Sequence, residues 1–161
     1  MLLKTKRLTL CPFTLDDAER VQKLAGEWEI ACMTANIPHP YPLEIAIEWI
    51  RFHEKDRKEG KLYPFAIFLK SDLLIGAISI KVNKEAYRAG MGYWIGKDFW
   101  GNGYTTEAAE EVLRFGFDRV SPQSHCWHGI NTKPRFYTRI GESWPQKRRN
   151  LTTTCLSLWS I

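Results

Sequence analysis

Five short stretches of the chain have patterns that are typical of β-strands. Each is either a run of apolar residues or an alternation of apolar and polar residues, and some combine the two. A polar turn at residues 70–72 joins two of the stretches into a strand pair. Pro12 lies near the end of the first stretch, where a missing backbone donor is tolerated. The predicted strands are residues 7–13, 64–69, 74–80, 90–95 and 156–161.

Apolar residues that recur every three or four positions predict three helices. Thr14 and Asp17 have the spacing of a capping box and predict the start of the first helix. The second helix follows the proline-rich loop at residues 39–42, and the third starts at about Thr105. The apolar stripes are Val21, Leu24 and Trp28 in the first helix, Ala46, Trp49, Ile50 and Phe52 in the second, and Val112 and Phe115 in the third.

Residues 92–108 combine an apolar strand, a glycine turn and the start of a helix. Gly101 and Gly103 lack a Cβ, so the backbone there can take positive φ and approach a ligand closely. The first N–H groups of the helix have no partners within it, and its dipole favours an anion. This arrangement predicts a pyrophosphate-binding loop, and an ordinary glycine turn is the alternative. It is neither a Rossmann fingerprint, because Thr106 stands where the third glycine belongs, nor a Walker loop, which ends in Gly-Lys-Ser/Thr.

The composition indicates a single soluble globular domain spanning residues 1–161, with 44% hydrophobic and 25% charged residues. No apolar run approaches the roughly 20 residues that span a bilayer, so no membrane contact is expected. Charges near the N-terminus argue against a signal peptide, and a cytoplasmic protein is expected. The four cysteines form no CxxC pair, and residues 125–128 lack the spacing of a zinc site, so we expect free thiols and no metal.

The net charge of +5 lies entirely in residues 121–161, because residues 1–120 contain equal numbers of acidic and basic side chains. A basic segment that also contains Trp144 and Trp159 is compatible with an RNA- or ribosome-interaction module. A solvated basic surface is the simpler interpretation, and we do not expect nucleic acid as a partner.

Residues 92–108 closely resemble the GNAT superfamily of acetyl-CoA-dependent N-acetyltransferases. The similarity is to the ribosomal-protein N-terminal (serine/alanine) acetyltransferase branch. The consensus sequence of that branch is close to GYW(I/L)…WG(K/N)GY(A/T)TEA. Trp100, Gly103 and Thr105 occupy the places of the superfamily signature Gln/Arg-x-x-Gly-x-Gly/Ala. The resemblance extends over residues 3–120. Beyond them the composition changes abruptly, through divergence or a shifted reading frame.

The resemblance implies a mixed α/β fold with a central, mostly antiparallel sheet of six to seven strands and helices on both faces. The sheet of such proteins splays at the cofactor site, where acetyl-CoA serves as co-substrate. By analogy, a homodimer is also compatible with the sequence. The cofactor-binding residues that it implies are Trp94, Ile95, Gly101, Asn102, Gly103, Tyr104, Thr105, Thr106 and Asn131.

The reaction that the resemblance implies is direct attack of an amine on the acetyl thioester, with a backbone N–H near Trp94 and Ile95 contacting the oxyanion. The family's leaving-group acid is a Tyr, and Tyr137 corresponds to it as the catalytic residue. The match is imperfect, because the spacing from Asn131 is one residue short and Pro134 replaces a small residue.

Gly90 occupies the place where many relatives have a Glu that accepts the proton of the amine. The other residues that could accept this proton as a general base are Glu85, Asp98, His125 and His128. Without a strong base, the acceptor is expected to be an α-amine, which titrates near 7.7–8.0, rather than lysine, which titrates near 10.4. The expected acceptor is the N-terminus of a ribosomal or other protein. The alternative is a CoA-binding protein with impaired catalysis.

Overall fold

The computed structural model describes residues 1–34, 37–83, 85, 88–120 and 126–129 of the chain. Its strands are β1 (Leu3–Lys4), β2 (Leu8–Cys11), β3 (Leu62–Leu69), β4 (Leu74–Asn83), β5 (Arg88–Ile95) and β6 (Cys126–Gly129). Its α-helices are α1 (Ala18–Ala25), α2 (Trp28–Ala31), α3 (Leu43–Lys58) and α4 (Tyr104–Phe115). Short 3-10 turns at Leu15–Asp17 and Lys97–Phe99 precede α1 and α4, and a π-helical turn, Gly116–Val120, follows α4.

The six strands form one sheet in chain order. The four pairs from β1–β2 to β4–β5 are antiparallel, whereas β5 and β6 are parallel. A parallel pair needs a long crossover, and α4 lies in the connection between β5 and β6. The predicted mixed α/β fold, with a mostly antiparallel sheet and helices, is confirmed within the described residues.

Two hydrophobic layers cover the faces of the sheet. Because side chains of a strand alternate between faces, Phe65 and Ile78 pack on the α4 side, and Ala66 and Ala77 pack on the side of α1 to α3. Helix α4 contributes Ala108, Ala109, Val112 and Leu113 to its layer. Strand β5 therefore contributes side chains to both layers, Ile95 to the α4 layer and Trp94 to the other.

The predicted stripe of the first helix is broken between Leu24 and Trp28. Helix α1 ends at Ala25, the N–H of Gly26 bonds to the Gln22 carbonyl, and α2 starts separately at Trp28. The helical period does not continue across the break, so Trp28 is 62% exposed.

Phe52 is 53% exposed, so the prediction that it lies on the apolar side of α3 is wrong. The buried positions of α3 are Ala46, Ile50 and His53, at steps of four and three residues. Phe52 lies about 100° around the helix from His53 and so faces solvent. Among the helices that the structure describes, none is both long and apolar enough to cross a bilayer.

Candidate functional site

The last residues of β5 have β4 on one side only among the described strands. Within the described residues, pairing with β6 extends to Met91 and Gly129, whereas pairing with β4 extends to Ile95. The N–H of Gly96 donates to the Ile75 carbonyl at 2.9 Å. Because backbone groups alternate along an antiparallel pair, those of Trp94 face β4 and those of Ile95 face the opposite side.

The indole of Trp100 closes the end of this edge. Its Nε1–H donates to the Ile95 carbonyl at 2.6 Å, which folds the side chain back over β5. The Ile95 carbonyl is thereby satisfied within the protein, while the N–H of the same residue points away from β4. Trp100 is itself 44% exposed.

The glycine turn after Trp100 has the backbone conformation predicted from the sequence. Gly101 has φ +77° and Gly103 has φ +75°. Among the described residues other than the chain neighbours, a Cβ at Gly101 would meet no atom within 4 Å, and one at Gly103 would meet Arg7 Nη2 at 3.7 Å. Positive φ, and not lack of space, is therefore the reason that glycine suits both positions.

Helix α4 begins immediately after this turn without a side-chain cap. Gly103 is the N-cap residue, and the first bond of the helix runs from the Glu107 N–H to the Gly103 carbonyl at 3.1 Å. The N–H groups of Tyr104, Thr105 and Thr106 precede that bond and have no carbonyl one turn back. Together with the helix dipole, these donors suit an anion.

Side chains support the turn from within it and from the residue that precedes β2. The Asn102 amide donates to the Phe99 carbonyl at 3.2 Å and to the Trp100 carbonyl at 3.1 Å. Arg7 Nη1 donates to the Asn102 carbonyl at 3.0 Å. The Asn102 side-chain amide is thus used within the turn itself.

Glu107, in the first turn of α4, accepts three further bonds at the start of the sheet. Its donors are Arg7 Nε at 2.6 Å, the Arg7 N–H at 2.7 Å and the Thr5 hydroxyl at 2.5 Å. Burial raises the pKa of the Glu107 carboxyl, but the hydrogen bonds from Thr5 and Arg7 outweigh it and leave the pKa below its usual value.

A pocket of about 220 Å³ lies between the end of β5, the glycine turn and α2. It brings together six of the residues predicted from the sequence, namely Trp94, Ile95, Gly101, Gly103, Tyr104 and Thr105. Its opposite wall consists of Ile30, Met33 and Thr34, which the sequence did not single out. Apolar residues at the end of a short helix resemble core residues, and no sequence signal distinguishes the two.

An ion pair ties this opposite wall to the loop that follows β5. The Lys97 ammonium bonds to the Glu29 carboxylate, and the Lys97 N–H donates to Glu27 Oε2 at 3.3 Å. The hydrogen bond with Glu29 raises the pKa of Lys97, and the same bond lowers the pKa of Glu29. Helix α2 is therefore attached directly to the segment that forms the pocket.

The structure narrows the choice of a general base. Glu85 lies in the turn between β4 and β5, roughly 20 Å from the pocket end of β5 given the rise per strand residue. Asp98 is exposed and does not line the pocket. Gly90 lies beside Lys81 of β4 and beside His128 of β6 in the backbone register.

The remaining predicted residues, Asn131, Tyr137 and His125, lie outside the described part of the chain.

Comparisons with known proteins agree with this architecture. A family model described as Acetyltransferase (GNAT) domain matches residues 7–143. The uncharacterized N-acetyltransferase p20 of Bacillus licheniformis is 30% identical over 121 residues, which cover 74% of this chain and 67% of p20.

Two solved structures are similar in fold. The microcin C7 self-immunity acetyltransferase MccE, in complex with acetyl-CoA and AMP, is 23% identical with a TM-score of 0.62, and the match covers 71% of this chain and 66% of MccE. An acetyl transferase of Salmonella typhimurium that modifies the N-terminal serine of the 50S ribosomal subunit protein L7/L12 is 14% identical with a TM-score of 0.65. That match covers 75% of this chain and 70% of the Salmonella protein.

Proposed function

The chain belongs to the GNAT acetyltransferase family, and from that premise we propose that it transfers the acetyl group of acetyl-CoA to the N-terminal α-amine of a protein. The observation that carries the proposal is the pocket that joins the end of β5 to the uncapped N-terminus of α4. One ligand that carries both a diphosphate and an amide-containing arm would use both features.

The donors around the pocket suit acetyl-CoA. The N–H groups of Tyr104, Thr105 and Thr106 would bind the diphosphate, with the positive-φ turn at Gly101 and Gly103 allowing close approach of the backbone. The amide-containing arm would lie along β5 on the side away from β4, as an added strand does at a sheet edge. In MccE the bound acetyl-CoA is a property of that protein, and it supports the same choice of co-substrate here.

In the proposed reaction, the amine nitrogen attacks the thioester carbonyl carbon and the carbon–sulfur bond breaks. The Ile95 N–H, which points away from β4, would donate to the carbonyl oxygen as negative charge develops there. Tyr137 would protonate the departing thiolate, and the proton lost by the amine would pass to water.

The preference for an α-amine rests on Gly90. The family's usual carboxylate is absent from this place, so the acceptor has to enter largely neutral. At pH 7.5, roughly a third of α-amines are neutral, compared with about one lysine in a thousand. The Salmonella protein, which modifies an N-terminal serine, is a structural neighbour with the same kind of acceptor.

The test measures thiol release from acetyl-CoA with two peptides. One peptide has a free α-amine and no lysine, and the other has a blocked N-terminus and one lysine. We expect release only with the first peptide, and kcat/KM that rises with pH with a midpoint near 8, because the amine itself titrates. Equal rates with both peptides would contradict the α-amine preference. A midpoint near 6.5 would instead show a histidine base.

A further inference from the structure

We propose that Arg7 is a positioning residue for the diphosphate end of acetyl-CoA, an inference that rests on the proposed function. Arg7 precedes β2, yet its guanidinium lies between the glycine turn and α4. It donates from Nη1 to the Asn102 carbonyl at 3.0 Å and from Nε to Glu107 Oε2 at 2.6 Å. The guanidinium carbon lies 4.6 Å from the centre of the Tyr104 ring.

The first effect of Arg7 is on the orientation of one peptide group. The Asn102 carbonyl and the Gly103 N–H belong to the same planar trans peptide and point in opposite directions. By holding the carbonyl, Arg7 turns the Gly103 N–H to the other side of the turn. Gly103 lines the pocket, and in this proposal its N–H joins the first amides of α4 as a donor to the diphosphate.

The second effect of Arg7 is on charge. Glu107 lies in the first turn of α4, and its side chain is only 18% exposed. A carboxylate stabilises the N-terminus of an isolated helix, but it repels a diphosphate that binds at the same end. The ion pair with Arg7 neutralises this carboxylate and leaves the backbone donors attractive to an anion.

The hydrogen bonds from Thr5 and Arg7 keep the pKa of Glu107 below its usual value, so the carboxylate is charged at neutral pH. Replacing Arg7 with an uncharged residue therefore exposes the bound diphosphate to an uncompensated negative charge. Removing the charge of Glu107 as well should relieve that repulsion and restore CoA binding. If Arg7 acted only by supporting the structure, removing this charge would not restore CoA binding.

The experiment compares Arg7→Met, Glu107→Gln and the double variant with the wild type, using calorimetric titration with CoA. We expect Arg7→Met to weaken CoA binding about tenfold, which is about 1.4 kcal/mol. The double variant should recover at least threefold of that loss, and Glu107→Gln alone should bind CoA at least as well as the wild type. Arg114→Met is the matched control, because it removes an exposed ion pair with Glu111 on the same helix.

A second readout is kcat/KM with acetyl-CoA and with S-acetylpantetheine, which lacks the diphosphate. We expect Arg7→Met to lower only the value for acetyl-CoA. An equal loss with both co-substrates, or no recovery in the double variant, would overturn the role of Arg7. If Arg7→Met does not fold, weaker CoA binding by Glu107→Gln alone overturns it. Failure of the wild type to bind CoA would instead refute the proposed function.

Discussion

At the scale of single residues, the glycine turn is specified by backbone conformation. Within the part of the chain that the structure describes, a Cβ at Gly101 would have no atom within 4 Å apart from its chain neighbours. The conformation at φ +77° is nevertheless unfavourable for L-residues other than Asn and Asp. Substitutions at Gly101 can therefore separate conformational strain from steric exclusion.

We predict that Gly101→Ala lowers the free energy of unfolding by about 1–2 kcal/mol, because alanine is strained at positive φ. CoA binding should weaken with it, since the strained turn loses the conformation in which its amides converge. Gly101→Asn should recover most of the stability, because asparagine visits this region more readily. Urea unfolding and calorimetry measure both effects, and equal behaviour of the two variants would contradict the explanation.

The sequence predicted the two glycines but not the arginine that supports them. Positive φ is a local property that the residue type indicates directly. The contacts of Arg7 join residues 95 and 100 positions apart, so no periodicity or local motif reveals them. The pocket wall at Ile30 and Met33 escaped prediction for the same reason, because it depends on how α2 packs after the break at Gly26.

At the scale of elements, α3 has an unusual buried face. His53 is 5% exposed, and both of its ring nitrogens lack a hydrogen-bond partner among the described residues. Its ring packs against Trp49 at 4.2 Å and Phe13 at 5.4 Å between ring centres. Burial, with a smaller contribution from the charge of Arg57, lowers the pKa of His53 to about 4.

We predict that His53 makes stability fall in acid. The unfolded state takes up a proton near pH 6.5 and the folded state only near pH 4, so this contribution is complete above pH 6.5 and is lost towards pH 4. The total effect is on the order of 3 kcal/mol. Urea unfolding of His53→Leu should show a shallower pH dependence between pH 6.5 and 5 than the wild type. Identical slopes would contradict the prediction.

Helix and strand positions could be predicted where the local pattern is strong. The capping box at Thr14 and Asp17 is present, with the Thr14 N–H donating to the Asp17 carboxylate at 2.7 Å. Strands β3, β4 and β5 lie where the apolar stretches predicted them. The exposure of Phe52 was not predictable, because His53 takes the buried position that an aromatic residue was expected to fill.

At the scale of the whole molecule, the site joins parts that are distant in sequence. The pocket is lined by residues from the α2 region, such as Ile30, and by residues from the end of β5 to the start of α4, and the turn is supported by Arg7. A ligand in this pocket would contact both hydrophobic layers, since Ile95 packs on the α4 side and Trp94 on the other side. Binding should therefore stabilise the domain as a unit.

We predict that CoA at 100 times its dissociation constant stabilises the folded state by about 2.7 kcal/mol. For a domain of this size, that corresponds to a rise in Tm of about 5–10 °C. Scanning calorimetry measures the shift, and adenosine serves as a control ligand that lacks the diphosphate and the arm. An unchanged Tm under these conditions would contradict the proposed site.

The parallel pairing of β5 with β6 has a consequence for the folding pathway. The antiparallel run from β3 to β5 forms from contacts close in sequence, whereas β6 reaches β5 only after the connection through α4 has closed. We therefore predict that the pairing of β6 with β5 forms late in folding, after the transition state. A substitution that weakens the pairing of β5 with β6 should then speed unfolding and leave the refolding rate nearly unchanged.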